Sequence, residues 1–503
     1  MSKALMIQGT GSGAGKSLLV AALCRIFRDR GMNVAPFKAQ NMALNSAIAI
    51  EGGEIGRAQV LQARACGLEP SVDMNPVLLK TAGERGSQVI LRGKVHATMQ
   101  ARDYYAFRDE AWKTVKTSYK RLAAKHDLII MEGAGSPAEI NLADVDIVNM
   151  SMARHAKAPV LLVGDIDKGG VFASLYGTVK LVGRDSNRIK AFIINKFRGD
   201  KAILDPGLDM IREKTGKPVI GVLPYITNMG LPEEDGLALA RSAEYGVRSA
   251  ESKAVRIVVV RLKSISNFTD FDPFMLEPDA MLQYSDRSED IENADLAILP
   301  GSKNTVADLL QLKEQHLDES IRRAFAKGTQ IIGICGGYQM LGKRIDDHHG
   351  VESEHRSMDA IGLLNIETRF DKEKITCWSE AHLIADCGLR IADWNSESPI
   401  AGYEIHMGTS IGEIGLFKIK RSDGDSAIVL DGSMNNNCWG TYLHGIFDND
   451  AFRRGVLNQV RVRKGLAPFE SGVNYGASIE SALDRLADVF RQHVDLEFIE
   501  GLL

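Results

Sequence analysis

Residues 4–17 read Ala-Leu-Met-Ile-Gln-Gly-Thr-Gly-Ser-Gly-Ala-Gly-Lys-Ser. An apolar run, Ala4–Gln8, enters a glycine-rich turn, and Leu18–Phe27 continues with helical spacing. Strand, loop, helix is the frame in which a phosphate-binding loop works. Glycines let successive backbone N–H groups turn inward on phosphate oxygens. A lysine then spans the β- and γ-oxygens, and a hydroxyl at the helix start can hold Mg²⁺. Here Gly13 and Gly15 free the backbone, Lys16 brings the charge and Ser17 the hydroxyl, while Thr10, Gly11 and Ser12 complete the cradle. The expected ligand is ATP with Mg²⁺.

Outward from this loop, short β-rich runs alternate with helix-like stretches as far as about residue 225. The runs are Ala4–Gln8, Asn33–Phe37, Leu128–Glu132, Pro159–Gly164, Ala191–Asn195 and Val219–Leu223. Such alternation predicts an α/β fold, a doubly wound parallel sheet wrapped by helices. The pattern loosens between Met229 and Ser252, and a second series starts at Arg256, with Leu296–Pro300, Gln330–Ile334 and Cys438–Leu443 as further strands. Helical spacing over Ile479–Glu500 predicts an end cap. The expected division is 1–240 for the phosphate-loop unit, 252–448 for a second α/β unit, and 449–503 for a helical extension.

The chain of 503 residues is too long for one core. Its 45% hydrophobic and 25% charged content is that of a globular protein, and a net charge of −4 gives no basic field for nucleic acid. No apolar run reaches the roughly 18 residues that span a bilayer. Six cysteines (Cys24, Cys66, Cys335, Cys377, Cys387 and Cys438) show no tight metal or redox spacing. Sparse cysteine fits a reducing, cytoplasmic setting in which Cys335 stays a free thiol.

In a doubly wound sheet, the acid ending Asp127-Leu-Ile-Ile-Met-Glu132 falls beside the phosphate loop, where Glu132 can help hold Mg²⁺. Glu54, in Gly52-Gly53-Glu54-Ile55-Gly56-Arg57, is a second Mg²⁺ candidate. Asn195, at the end of the strand Ala191–Ile194, is placed to read adenine through its amide. Lys38, one strand from the loop, can steady both a carboxylate and the γ-phosphate.

The second unit carries Gly333-Ile334-Cys335-Gly336-Gly337 between a strand and a helix. Small neighbours permit a strained turn that presents the sulfur at a helix start, which favours thiolate, and the N–H of Gly336 can bind an oxyanion. His444, after the run Cys438–Leu443, is the expected base. Leu299-Pro300-Gly301-Ser302 supplies the second oxyanion donor, at Gly301. Triad glutamine amidotransferases carry glutamate two places after the histidine; here that place is Ile446. The site therefore reads as a Cys–His dyad or takes its orienting acid from elsewhere, with Glu404 and Asp448 as candidates.

The Gly9-Thr10 form of the loop, with threonine where the strict pattern has glycine, resembles dethiobiotin synthetase and its amide-forming relatives. ParA/MinD ATPases usually place a signature lysine where this chain has Gly11. Further blocks point the same way: Pro36-Phe-Lys-Ala-Gln-Asn-Met42, Gly53-Glu-Ile-Gly-Arg-Ala-Gln59, Met74-Asn-Pro-Val-Leu-Leu-Lys80, Glu132-Gly-Ala-Gly-Ser-Pro-Ala-Glu139, Gly164-Asp-Ile-Asp-Lys-Gly-Gly170, Asn195-Lys-Phe-Arg-Gly199, Pro300-Gly-Ser-Lys-Asn-Thr305 and Gly402-Tyr-Glu-Ile-His406. In this order they resemble the cobyric acid synthase family along essentially the whole chain. The sister family, cobyrinic acid a,c-diamide synthase, shares the architecture, but Phe37–Met42 looks like the former.

The resemblance implies a P-loop synthetase unit joined to a class I glutamine amidotransferase-like domain. It implies ATP-dependent amidation of the b, d, e and g carboxylates of adenosylcobyrinic acid a,c-diamide, with one ATP and one glutamine for each. The implied partners are a corrinoid and L-glutamine, with homo-oligomerisation compatible. The family assigns only the cysteine and the histidine to the glutaminase, which fits Ile446. Relatives often have an acid where this chain has Gly13. The rival readings are a related amidase acting on another carboxylate, and a ParA/MinD-like switch with a glutamine-sensing domain.

Overall fold

The structure, a computed structural model, describes residues 2–81, 86–227, 229–232, 254–353, 355–384, 398–422 and 428–503. Most of the loosened stretch expected between Met229 and Ser252 lies outside them.

Six parallel strands form the first sheet, in the spatial order Val219–Pro224, Ile189–Phe197, Val160–Asp165, Lys3–Gly9, Leu128–Glu132, Val34–Phe37. All six expected strands are present, and Leu128–Glu132 matches residue for residue. Helices cover both faces, so the central strands are apolar throughout: Leu128–Met131 and Leu161–Val163 are fully buried. The strand Lys3–Gly9 lies between Val160–Asp165 and Leu128–Glu132. The phosphate loop therefore opens at the carboxyl edge of the sheet, where chain order switches direction and ligands of such sheets bind.

A four-stranded side sheet, Gln40–Met42, Val77–Thr81, Ser87–Leu91 and Lys94–Met99, is built onto this unit. The short antiparallel pair Ser46–Ile48 and Glu54–Gly56 stands beside it.

The second unit has its own sheet, ordered Ala280–Ser285, Val255–Val260, Leu296–Leu299, Gln330–Ile334, Cys438–Thr441, Ser433–Asn435. The first five are parallel and the last is antiparallel. Gln330–Ile334 agrees with expectation to the residue. A largely antiparallel sheet around the long strands Ile366–Leu383 and Ile400–Gly412 was not foreseen. Its period-2 pattern is broken by Asp371-Lys372-Glu373, where the pairing register shifts between Arg369 and Lys374.

The helical tail divides between the two units. Asp450–Arg463 buries Phe452, Val456, Leu457 and Val460 in the core of the second. Tyr475–His493 buries Ile479, Leu483, Leu486 and Phe490 in the first, against the helix Lys16–Asp29. There Arg25 binds Glu480 and Asp484, each at 2.7 Å. The helix expected over 479–500 breaks at Val494, which bridges to Gly221, and Asp495 caps a second helix, Leu496–Leu502. Among the described residues no helix is long and apolar enough to cross a membrane.

Candidate active sites

Cys335 ends the strand Gln330–Ile334 and precedes the short helix Gly336–Leu341 with φ 51° and ψ −108°. A non-glycine residue there is strained by about 1–3 kcal/mol and persists only where its surroundings enforce it. The enforcement is close packing. A Cβ at Gly337 would lie 2.0 Å from the Leu299 carbonyl oxygen, and one at Gly333 would lie 2.6 Å from Leu341. Only glycine lets the elbow settle onto the neighbouring strand. The Cys335 N–H is held by Thr441 O at 2.8 Å, on the strand that leads to His444.

His444 follows that strand and pairs with Tyr403 of the antiparallel sheet, whose ring stacks on the imidazole at 5.4 Å. The Cys335 thiol, whose Sγ donates to Ile405 O at 3.6 Å, acts electrostatically on the imidazole from one side. On the other, Nδ1 is 2.6 Å from Asp270 Oδ2. Asp270 also accepts from the Gly445 N–H at 3.2 Å. Burial alone would lower the His444 pKa, but the charges of Asp270 and Cys335 and their hydrogen bonds raise it to about 10. Three groups in this order have the arrangement that a nucleophile, a base and an orienting acid require.

Asp270 is the residue that sequence reading missed. His444 Nδ1 pairs with Asp270 and not with Glu404 or Asp448, the candidates for that role. Glu404 accepts two hydrogen bonds from Arg421, at 3.0 and 2.6 Å, and contacts His406 at 3.3 Å. Asp448 lies 3.9 Å from Arg57. Asp270→Asn keeps the shape but removes the charge that holds the proton on His444. Glutamine hydrolysis is expected to fall on the order of 10²-fold. Because Asp270 raises the His444 pKa, the protonated form will persist to a lower pH ceiling in the variant. His444 acts as a base only when neutral, so the acid limb of the kcat/KM profile should move to lower pH; an unmoved limb would remove Asp270 from the role.

Gly301 and Gly336 meet beside this group. A Cβ at Gly301 would stand 3.2 Å from His444 Cε1, and one at Gly336 2.9 Å from the Ser302 nitrogen. Both residues are thereby held close to Cys335 and His444.

At the other centre Gly15 has φ 91°, and a Cβ there would lie 2.2 Å from Asn195 Nδ2, so glycine is required. Thr10 is fixed by its N–H to Val163 O at 2.9 Å. Gly11 and Gly135 carbonyls accept from Lys16 Nζ at 3.0 and 3.2 Å. Lys168 Nζ reaches Ser12 O at 3.2 Å, and Lys196 Nζ reaches Gly13 O at 2.7 Å. Two lysines that sequence reading did not single out thus add positive charge to the loop.

Glu132 gathers the expected metal and phosphate residues. Its Oε1 accepts from Ser17 Oγ and from Lys38 Nζ, each at 2.8 Å, and its Oε2 from Gln62 Nε2 at 2.6 Å. Burial would raise the Glu132 pKa, but Lys38, Gln62 and Lys16 hold it below the ordinary carboxylate range. Among the described residues no group of three or more His, Cys, Asp or Glu is arranged for a metal. One hydroxyl and one carboxylate suit Mg²⁺ that takes its remaining oxygens from phosphate and water, so the residues fit that ion.

One expectation needs correction, while Asn195 keeps its place at the loop. Glu54 is not at the phosphate loop: it is buried in ion pairs with Lys80 and Lys374, the latter at 2.6 Å, and accepts from Ser46 Oγ at 2.7 Å. Removing one partner of such a buried pair costs about 3–5 kcal/mol, which marks Glu54 as a structural tie between the units and not an Mg²⁺ ligand. Asn195 donates through Nδ2 to Ala14 O at 2.9 Å and accepts through Oδ1 from the Lys196 N–H. Its Nδ2 thereby braces the loop, and the amide retains a second N–H and a second lone pair beside the cavity.

Comparison with known proteins gives two family matches. Residues 5–238 match the CobQ/CobB/MinD/ParA nucleotide binding domain, and residues 256–452 match the CobB/CobQ-like glutamine amidotransferase domain. The chain is 48% identical to cobyric acid synthase of Thermodesulfovibrio yellowstonii, covering 99% of this chain and 98% of that one. It is 46% identical to the same enzyme of Syntrophobacter fumaroxidans, covering 100% and 99%. With that of Photorhabdus laumondii it shares 47%, covering 99% and 98%.

Proposed function

The chain belongs to the cobyric acid synthase family, and on that premise we propose that it amidates the b, d, e and g carboxylates of adenosylcobyrinic acid a,c-diamide. It is a glutamine-dependent amidoligase with a nucleotide-binding domain. The observation that carries the assignment of residues is Cys335–His444–Asp270 in one unit, with Lys16, Ser17, Lys38 and Glu132 gathered in the other.

In this reading Cys335 Sγ attacks the side-chain carbonyl of glutamine while His444 takes the thiol proton. The N–H groups of Gly336 and of the turn at Gly301 bind the developing oxyanion. His444 hands the proton to the departing nitrogen, leaving a glutamyl thioester and ammonia. Water, deprotonated by His444, then releases glutamate and restores the thiol. Asp270 keeps the imidazole oriented throughout.

At the phosphate loop Lys16 and Lys38 hold the γ-phosphate of ATP and the attacking corrinoid carboxylate in line. Ser17 and Glu132 would hold Mg²⁺, which supplies further neutralisation of phosphate charge when bound. Transfer of the γ-phosphoryl to the carboxylate gives an acyl phosphate and ADP. Ammonia displaces phosphate and forms the amide. A cavity of about 2020 Å³ opens at the loop, walled in part by Met42, Tyr104, Ile140, Met275 and Tyr284. Met42 and Ile140 are more than 60% exposed, an apolar wall suited to a macrocycle whose acid arms reach the loop.

The test is mass spectrometry of cobyrinic acid a,c-diamide incubated with the protein, MgATP and glutamine. Each amide formed lowers the mass by about one dalton, so four steps should remove about four. An unchanged corrinoid alongside ATP consumption would reject the substrate.

A further inference from the structure

The acid of the glutaminase group stands on a loop that the synthetase unit holds. Asp270 lies in the single 3₁₀ turn Phe268–Phe271, which begins after Asn267 at φ 53°. The Asn267 side-chain oxygen accepts from the Ser46 N–H at 3.0 Å. In return, the Asn45 side-chain oxygen accepts from the Phe268 N–H at 3.2 Å. Asn45, Ser46, Asn267 and Asp270 are all buried to 3% exposure or less. The Tyr403 hydroxyl lies 3.4 Å from Ser46 O and 3.5 Å from Asp270 Oδ1, and its ring stacks on His444.

The same loop reaches the oxyanion turn: the Ser266 N–H donates to Gly301 O, and the Lys303 N–H donates to Ser264 O, each at 2.9 Å. Two parts of the glutaminase, Asp270 and Gly301, thus hang on residues 264–270. Asn45 stands only seven positions after Lys38, which is bound to Glu132 at the phosphate site. The intervening strand Gln40–Met42 is fixed against Val77–Leu79.

We propose that Asn45 and Asn267 form a reciprocal clasp between the units that positions Asp270, so that glutamine is hydrolysed efficiently only while the synthetase unit is docked. Asn45 is a positioning residue: it touches neither glutamine nor the reacting sulfur. A buried N–H that loses its acceptor does not stay in place, because it must find water or another oxygen. Losing the Phe268 bond therefore lets the 3₁₀ turn shift, and Asp270 moves with it. Because the inference rests on the glutaminase reading above, the wild-type rate of glutamate release is its reference.

The experiment uses the full-length chain with Asn45→Ala and, separately, Asn267→Gly. The glycine keeps the positive φ at ease while removing the acceptor. Glutamate release is measured against glutamine concentration, and amidation is measured with an ammonium salt in place of glutamine. The expected result in both variants is a kcat for glutamate release lower by about tenfold or more. KM for glutamine and ammonia-supported amidation should stay within about twofold of wild type. Wild-type glutamate release in both variants would overturn the clasp, as would parallel loss of both activities. A wild-type chain that releases no glutamate would overturn the glutaminase reading and the clasp together.

Discussion

Cys335→Ser should lose glutamine-dependent amidation on the order of 10⁴-fold or more while retaining amidation supported by ammonium salt. Serine fits the elbow, since it adds no atom to the space closed by Leu299 and Leu341. What changes is the nucleophile: a hydroxyl gives up its proton to His444 far less readily than a thiol does. The phosphate loop, in the other unit, keeps Lys16, Ser17, Lys38 and Glu132 in place. Ammonia from solution can then meet the acyl phosphate if the pH is high enough to leave some of it unprotonated. Should ammonium fail to support amidation in this variant, the division into two centres is wrong.

Local chemistry was legible in the sequence wherever a function and its supporting backbone share one short segment. The phosphate loop and the cysteine elbow are of this kind, since strand, turn and helix lie within about 20 residues of each other and glycines mark where backbones must touch. Two strands, Leu128–Glu132 and Gln330–Ile334, matched to the residue because each is an apolar run closed at one end by a polar side chain. Asp270 was not legible. It precedes His444 by 174 residues, and the search for an acid looked just after the histidine, where Ile446 stands. Only the parallel sheet brings the loop after Val255–Val260 to the end of Cys438–Thr441. Glu54 was misread for the opposite reason. Among glycines it looked exposed and available, yet Lys374, 320 residues away, comes from the other unit to neutralise it. Charges fixed by distant partners leave no local pattern.

Lys16→Met should give the complementary result, a loss of amidation on the order of 10³-fold with either nitrogen source and near-normal glutamate release. Methionine replaces the lysine stem with an apolar chain of similar length, so the buried side chain still fills its place beside Gly9. The variant loses the ammonium that the Gly11 and Gly135 carbonyls now hold at the mouth of the loop. Lys38, anchored on Glu132 at 2.8 Å, supplies its own share of the charge and does not replace the lost ammonium. Transition-state charge on the γ-phosphate therefore goes uncompensated, and this loss does not depend on where ammonia comes from. Persisting ammonia-supported amidation would remove Lys16 from the transfer step, and parallel loss of glutamate release would show that the loop also supports Asp270. Mixing this variant with Cys335→Ser sharpens the contrast. The first would release ammonia but not use it, and the second would use it but not release it. If nitrogen normally passes inside one chain, the mixture should amidate no faster than Cys335→Ser given the same free ammonia. A faster mixture would place the transfer in bulk solvent.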